Sequence, residues 1–137
     1  MDGFCLPADV DPVLWMLPAK GAKHAGGITV GVIPTIEATD ASDAVDVRIY
    51  TGMGSGRNNI NALSSDVLVA CGLSPGTSAE ISLAIRYNKR VVLLGLNDVS
   101  VAYFQWLGGP NVAVAQTPGH AIELVKDALT GFRTQQS

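Results

Sequence analysis

Cysteine is scarce in this sequence. Its 137 residues hold two, Cys5 and Cys71, which are too few for a disulfide framework and lack the Cys/His spacing of a zinc site. The chain therefore reads as a protein of a reducing, cytoplasmic compartment, and no metal site is expected. Charge is scarce too: 15% of residues, a net −3, and no cluster of Lys or Arg. That removes the electrostatic footprint of a nucleic-acid or acidic-membrane partner. No basic-then-apolar leader opens the chain, and no apolar run approaches the roughly 20 residues of a bilayer-spanning helix. Repeats and low-complexity stretches are missing as well, apart from a polar tail after Arg133.

Apolar mass is abundant, at 47% of residues with a mean hydropathy of +0.29. A single domain of this length buries roughly two-thirds of its unfolded surface without disulfides or metals. High apolar content with little charge suits a sheet covered on both faces, hence α/β architecture. The same excess leaves little polar surface to cover a monomer, which points to a subunit interface.

Strand-like and helix-like runs alternate. Residues 1–18 read as an irregular arm, in which Asp11-Pro12 resembles a helix start that Pro18 stops. Ala19 to Ala25 is helical and ends at Gly26-Gly27. Ile28 to Ile33 is a β-branched run closed by Pro34, a buried strand. Thr35 to Asp46 is a loop and Val47 to Tyr50 a short strand. After the glycine-rich turn Thr51 to Gly56, a helix over Arg57 to Ser65 delivers Ile60 and Leu63 to the core. Val67 to Cys71 and Arg90 to Leu94 are strands, with a helix between them that begins near Pro75 and reaches Tyr87. Asp98 to Leu107 is a helix stopped by Gly108-Gly109-Pro110, and Val112 to Ala115 is the last strand. Pro118 opens a terminal helix whose Ala121, Ile122, Val125, Ala128, Leu129 and Phe132 share one buried face, with Glu123, Lys126 and Asp127 on the other. The order predicts a parallel sheet with right-handed crossovers over residues 19–133, and a polar tail at 134–137.

The functional signal lies between Arg57 and Glu80. A helix that starts just past the carboxyl end of a buried strand directs unsatisfied N–H groups and a positive dipole end into one crevice, which suits a phosphate. The predicted phosphate-binding set comprises Gly52, Met53 and Gly54 of the glycine turn, Arg57 and Asn58 at the head of the following helix, and Gly72, Ser74, Gly76, Thr77 and Ser78 at the next helix start. This reading requires the amides of residues 76 and 77 to lie open toward a pocket that Arg57 reaches. Glu80 stands one turn into that helix, so an acid and a base face one crevice.

Plain structural roles compete at each position. Glu80 favours the helix dipole where it stands, Ser74 suits an N-cap, Thr77 and Ser78 suit capping hydroxyls, and Arg57 suits a surface helix start. Cys71 is either a small buried residue or a thiol of lowered pKa beside a helix start. Asp40, Asp43 and Asp46 form a solvated acidic loop rather than a cation site, and His24 and His120 are surface helix residues. Trp15, Tyr103, Phe104 and Trp106 read as packing or interface residues.

Three segments together resemble a known superfamily: Gly21-Ala22-Lys23-His24-Ala25-Gly26-Gly27 leading into Ile28 to Pro34, Thr51-Gly52-Met53 with Arg57-Asn58, and Gly76-Thr77-Ser78-Ala79-Glu80. It is the Rossmann-like superfamily of molybdenum cofactor carrier proteins and LONELY GUY (lysine decarboxylase-like) phosphoribohydrolases. The resemblance implies a doubly wound, mainly parallel α/β sheet with helices on both faces, a homo-oligomer (dimer or tetramer), and a phosphate-bearing ligand held at Gly76-Thr77. That ligand is a nucleotide or the molybdenum cofactor. In the phosphoribohydrolase branch the matching arginine and glutamate cleave the N-glycosidic bond of a nucleoside 5′-monophosphate, and those roles would fall on Arg57 and Glu80.

Two departures favour the carrier-like branch. Gly72-Leu73-Ser74 replaces the proline and two glycines of the hydrolases, and Asn58 replaces their usual lysine. A third departure concerns the fold. The family begins with a strand, a helix and a second strand with its own glycine turn, and Met1 to Lys20 cannot supply them all. In a Rossmann order those strands are central, so the expectation is a sheet lacking or rebuilding them, through a truncated or altered start or through the arm of a second subunit. Three functional readings follow: a carrier-like binder, a phosphoribohydrolase, or a vestigial interaction module that kept the fold.

Overall fold

The computed structural model describes residues 19–37 and 43–135. Residues 19–24 are helical (α1). Then come β1 (Val30–Ile33), β2 (Val47–Tyr50), a 3-10 turn at Gly54–Gly56, α2 (Arg57–Ser64), β3 (Val67–Cys71), α3 (Pro75–Arg86), β4 (Arg90–Leu94) and α4 (Asp98–Gly108). A second 3-10 turn at Gly109–Asn111, β5 (Val112–Ala115) and α5 (Pro118–Gln135) complete the order. The arm expected at 1–18 lies outside the described residues, as does Asp40. The terminal helix runs to Gln135, into the stretch expected to be a tail.

Every strand pairing is parallel, as the alternation of elements predicts. β3, β4 and β5 form one sheet, with Val67 opposite Arg90 and Val91 opposite Val112. β1 and β2 form a second, with Val30 opposite Val47. Among the described residues the strands thus form two separate sheets.

The three-stranded sheet is covered on both sides because its residues alternate in direction. Leu68, Ala70, Val91, Leu93 and Val112 face Ala62 of α2, Ile81 and Ala84 of α3 and Phe104 of α4. Val67, Val92 and Ala115 face Ala121 of α5, with Leu124, Val125, Ala128 and Leu129 packed against them. Successive Val91 and Val92 are therefore both buried, one on each face, as a central parallel strand requires. Ile81 and Leu93 are fully enclosed, and burial of such side chains stabilises by about 1.5–3 kcal/mol each.

Two core assignments need correction. Leu63 is exposed and Ile60 only half-buried, while Arg57, Asn58, Asn61 and Ala62 form the buried face of α2. The face turned inward is largely polar: Ala62 joins the core of the three-stranded sheet, while Arg57 reaches the Val32 carbonyl of β1 and Asn61 reaches Glu80 of α3. In α5, Ile122 is exposed. It sits about 100° round the helix from Ala121, outside the stripe continued by Leu124 and Val125. The expected outer residues Glu123, Lys126 and Asp127 are exposed, and Phe132 lies beyond the described side chains.

A polar clasp fixes the smaller sheet. Thr29, just before β1, accepts at its carbonyl from the amides of Asp46 and Val47. Its own amide and hydroxyl donate to the Asp46 carboxylate at 2.9 and 2.8 Å. Lys23 of α1 completes the knot with a 3.0 Å ion pair to Asp46. Asp46 thus has a structural role, and among the described residues no group of three His, Cys, Asp or Glu is placed to hold a metal.

Candidate functional site

The glycine turn is built onto the carboxyl end of β1. Thr51 donates to the Ile33 carbonyl from both its amide (3.0 Å) and its hydroxyl (2.8 Å), and Gly54 N–H donates to the Pro34 carbonyl at 3.0 Å. Gly52 has φ +60°, and a Cβ there would stand 2.9 Å from Ile36 Cγ2, so both backbone and space demand glycine. Met53 lies exposed on the turn. The 3-10 turn Gly54–Gly56 then feeds straight into α2, since Gly56 is already right-handed helical and no side chain caps the junction.

This delivers Arg57 and Asn58 to the buried face at the head of α2, at 6% and 4% exposure. Arg57 Nη1 donates to the Val32 carbonyl of β1. Thr29 and Ile33 point their carbonyls at β2, so Val32, of opposite parity, points its carbonyl at the unpaired edge of β1. Among the described residues the guanidinium is thus the partner of a β1 carbonyl that β2 does not take. Arg57 Nε and Asn58 Oδ1 are both buried without a hydrogen-bond partner. An unsatisfied buried polar atom costs about 1–3 kcal/mol, and such atoms in native proteins call for a ligand, ion or water. A buried donor that belongs to a permanently charged guanidinium suits an oxyanion, and a buried amide oxygen suits an N–H or O–H donor.

Further along the same face of α2, Asn61 Nδ2 donates to Glu80 Oε1 of α3 at 2.8 Å, with both residues buried. Arg57 and Asn61 are one helical turn apart. The spacing of Asn61 from Arg57 was the one signal in the sequence that could have marked it, and it was missed. A second tie between the helices runs from the Tyr87 hydroxyl to Asn59 Oδ1 at 2.9 Å.

The start of α3 differs from expectation. Ser74 is the N-cap: its Oγ accepts from the Thr77 amide at 3.1 Å and lies 3.0 Å from the Thr77 hydroxyl. The Ser78 amide donates to the Ser74 carbonyl at 2.8 Å. Pro75 has no N–H and the Thr77 amide is closed by the Ser74 side chain, so neither is open to a ligand. Leu73 is exposed, and Gly72, at φ +73°, donates its amide to the Leu94 carbonyl at 2.8 Å. The requirement that residues 76 and 77 both offer open amides is thus not met at Thr77, because a serine stands where the N-cap hydrogen bond forms.

The structure therefore groups Gly52, Met53, Gly54, Arg57 and Asn58 around one turn, joins Glu80 to Asn61, and leaves Gly72, Ser74, Gly76, Thr77 and Ser78 as the capped entry to α3. Cys71, half-buried at the end of β3, has its thiol pushed up from the ordinary value by burial rather than lowered. His24 is exposed, and His120 Nδ1 accepts from the Gln116 amide at 3.3 Å.

A molybdenum cofactor binding protein from the phototrophic bacterium Rippkaea orientalis superposes with a TM-score of 0.77 at 45% identity, covering 81% of this chain and 68% of that one. The molybdenum cofactor carrier protein of Chlamydomonas reinhardtii superposes with a TM-score of 0.79 at 48% identity, covering 85% of this chain and 71% of that one. An uncharacterised protein of Archaeoglobus fulgidus is 43% identical over 76 residues, 56% of this chain, and this chain spans about half of that relative's length (50%). Among the described residues no helix is long and apolar enough to cross a membrane. The SLOG cluster4 family model matches residues 15–122, and with the Rossmann-like parallel architecture on which that match lies, the chain belongs to the SLOG cluster4 family.

Proposed function

We propose that this protein is a carrier that binds the molybdenum cofactor, a phosphate-bearing pterin, as cargo. The observation that carries the reading is the pair of buried, unpartnered atoms Arg57 Nε and Asn58 Oδ1 at the head of α2. The guanidinium supplies planar donors to a phosphate oxygen, and the Asn58 carbonyl accepts from a ring N–H. The glycine turn, without side chains at Gly52 and Gly54, lets the ligand approach the backbone. Likeness to a cofactor binding protein and a cofactor carrier at 45% and 48% identity supports the same reading. The cargo brings its own metal, and the chain's task is to hold it and shield it from water. The working form is a homo-oligomer, in keeping with the exposed apolar surface.

The test is co-elution. The native chain is mixed with molybdenum cofactor released from a denatured molybdoenzyme, passed through gel filtration, and assayed for molybdenum in the protein peak. Stoichiometric molybdenum with the native chain, and its loss in Arg57→Ala and Asn58→Ala, is the expected result. Absence of co-eluting molybdenum from the native chain overturns the reading.

Cleavage of a nucleoside 5′-monophosphate by Glu80 and Arg57 is the competing reading. It is disfavoured because a Glu80 carboxylate oxygen is already engaged by the Asn61 side chain. Free adenine released from AMP by the native chain and lost in Glu80→Ala would establish it instead.

A further inference from the structure

We infer that Ile36 and Met53 form an apolar ledge that holds a flat heteroaromatic ring, so that the site takes a phosphate carried on such a ring rather than a sugar phosphate. The inference rests on the ligand site proposed above and names the part of the ligand that the buried polar atoms do not read. Two loops build the ledge. Residues 34–37 leave the carboxyl end of β1 and residues 51–54 that of its parallel neighbour β2, the end at which ligands bind open α/β sheets. Three backbone hydrogen bonds zip the loops together, from the Thr51 amide to the Ile33 carbonyl, from Gly52 to Thr35 at 3.2 Å and from Gly54 to Pro34. Ile36 lies against Gly52, its Cγ2 2.9 Å from where a Cβ would stand, and is 78% exposed. Met53, the residue after Gly52, is 53% exposed. Two apolar side chains are therefore held out to solvent by a fixed backbone.

The turn does not cradle a phosphate with its own amides, because the chain already engages them. Besides those of Thr51, Gly52 and Gly54, the Met53 amide donates to the Thr51 hydroxyl oxygen at 3.3 Å and the Gly56 amide to the Met53 carbonyl at 3.0 Å. The Arg57 amide donates to the Gly54 and Ser55 carbonyls. What the turn presents to a ligand is therefore apolar side chain and bare peptide face. At Gly54 an added Cβ would meet nothing within 4 Å, which leaves that peptide open to a ring. The Met53 side chain bends back along the chain, its Cβ and Cε each 3.5 Å from where a Gly56 Cβ would stand. It thus reaches the residue that precedes Arg57, whose Nε is buried without a partner. A polarisable thioether makes favourable contacts with aromatic rings. A heteroaromatic ring keeps its polar atoms in its plane and offers an apolar face, as pterins and nucleobases both do. A sugar in the same place would lose water from its hydroxyls and gain no hydrogen bond from Ile36 or Met53.

The experiment is equilibrium ultrafiltration of the full chain with two probes in turn, molybdenum cofactor released from a denatured molybdoenzyme and AMP, reading the molybdenum or adenine retained with the protein. The double variant Ile36→Ser/Met53→Gln is expected to bind the cofactor about tenfold more weakly than the native chain, with unchanged circular dichroism. The conservative Ile36→Val/Met53→Leu should keep the native affinity, because it keeps the apolar surface. Ribose 5-phosphate, which has the phosphate without the ring, should not displace the cofactor at tenfold excess. Native affinity in Ile36→Ser/Met53→Gln overturns the ledge and leaves the carrier reading standing. Displacement by ribose 5-phosphate, or equal loss in the conservative variant, overturns the ledge as well. If the native chain retains AMP and no molybdenum, and the polar double variant weakens AMP, the ledge stands with a nucleobase on it and the carrier reading falls. If the native chain retains neither probe, both fall.

Discussion

The Asn61 side-chain amide donates to a Glu80 carboxylate oxygen at 2.8 Å, inside the contact between α2 and α3 where both residues are more than nine-tenths buried. Removing the donor takes one buried hydrogen bond from the Glu80 carboxylate. Asn61→Ala is expected to destabilise by about 1–3 kcal/mol in urea titration. The double variant Asn61→Ala/Glu80→Ala should lose less than the sum of the two single losses, since the pair is coupled. Additive losses would show that the bond contributes nothing beyond its two side chains.

The clasp around Asp46 holds its carboxyl below the usual carboxylate range. The Thr29 backbone N–H, then Lys23, then the Thr29 hydroxyl hold its carboxyl at about 2, against roughly 3.9 in an unfolded chain. A depressed folded-state pKa means that the clasp stabilises fully above the unfolded value and fades as pH falls through the folded one. Thermal melts should therefore show the native chain losing stability between about pH 4 and pH 2. Asp46→Asn should start lower and change less across that interval. Parallel acid limbs for the two proteins would assign the effect to other carboxylates.

Burial raises the Cys71 thiol from its ordinary value. The reactive thiolate is then scarcer at neutral pH than in a free thiol. Reaction with a disulfide reagent should be slow in the folded protein and reach the rate of an ordinary cysteine in urea. Fast reaction of the folded chain would place the thiol in a polar setting.

Ser74→Ala should cost about 1 kcal/mol, the usual effect of losing an N-cap, read from the urea midpoint. Because the proposed cargo site rests on Arg57 and Asn58, the same variant should still co-elute with molybdenum. Loss of the cargo in Ser74→Ala would move the site to the start of α3.

Much of the fold was legible because its signals are local. Val67 to Cys71 and Arg90 to Leu94 are short β-branched and leucine runs between helix signals, and the strands occupy the same residues. Alternation of strand and helix was enough to predict parallel pairing. The site was less legible. Arg57 and Asn58 follow a glycine turn and so invited attention, but Asn61 looked like an ordinary helix residue. The inward face of α2 was assigned to Ile60 and Leu63 because periodicity assumes that the buried face is the apolar one. At α3, Ser74 could cap the helix or leave its amides to a ligand, and only the side-chain torsion distinguishes the two.

By itself, then, the sequence determined which segments are strands and helices and that the strands run parallel. These follow from hydrophobic period, turn residues and composition, all of which act within a few residues or as sums over the chain. Tertiary structure decided that Arg57 reaches the Val32 carbonyl, that Asn61 meets Glu80, and that Trp106 faces outward while Phe104 faces inward. Each of these is a contact between residues far apart in sequence or a choice between two faces of one helix. Such choices depend on what the rest of the chain places opposite.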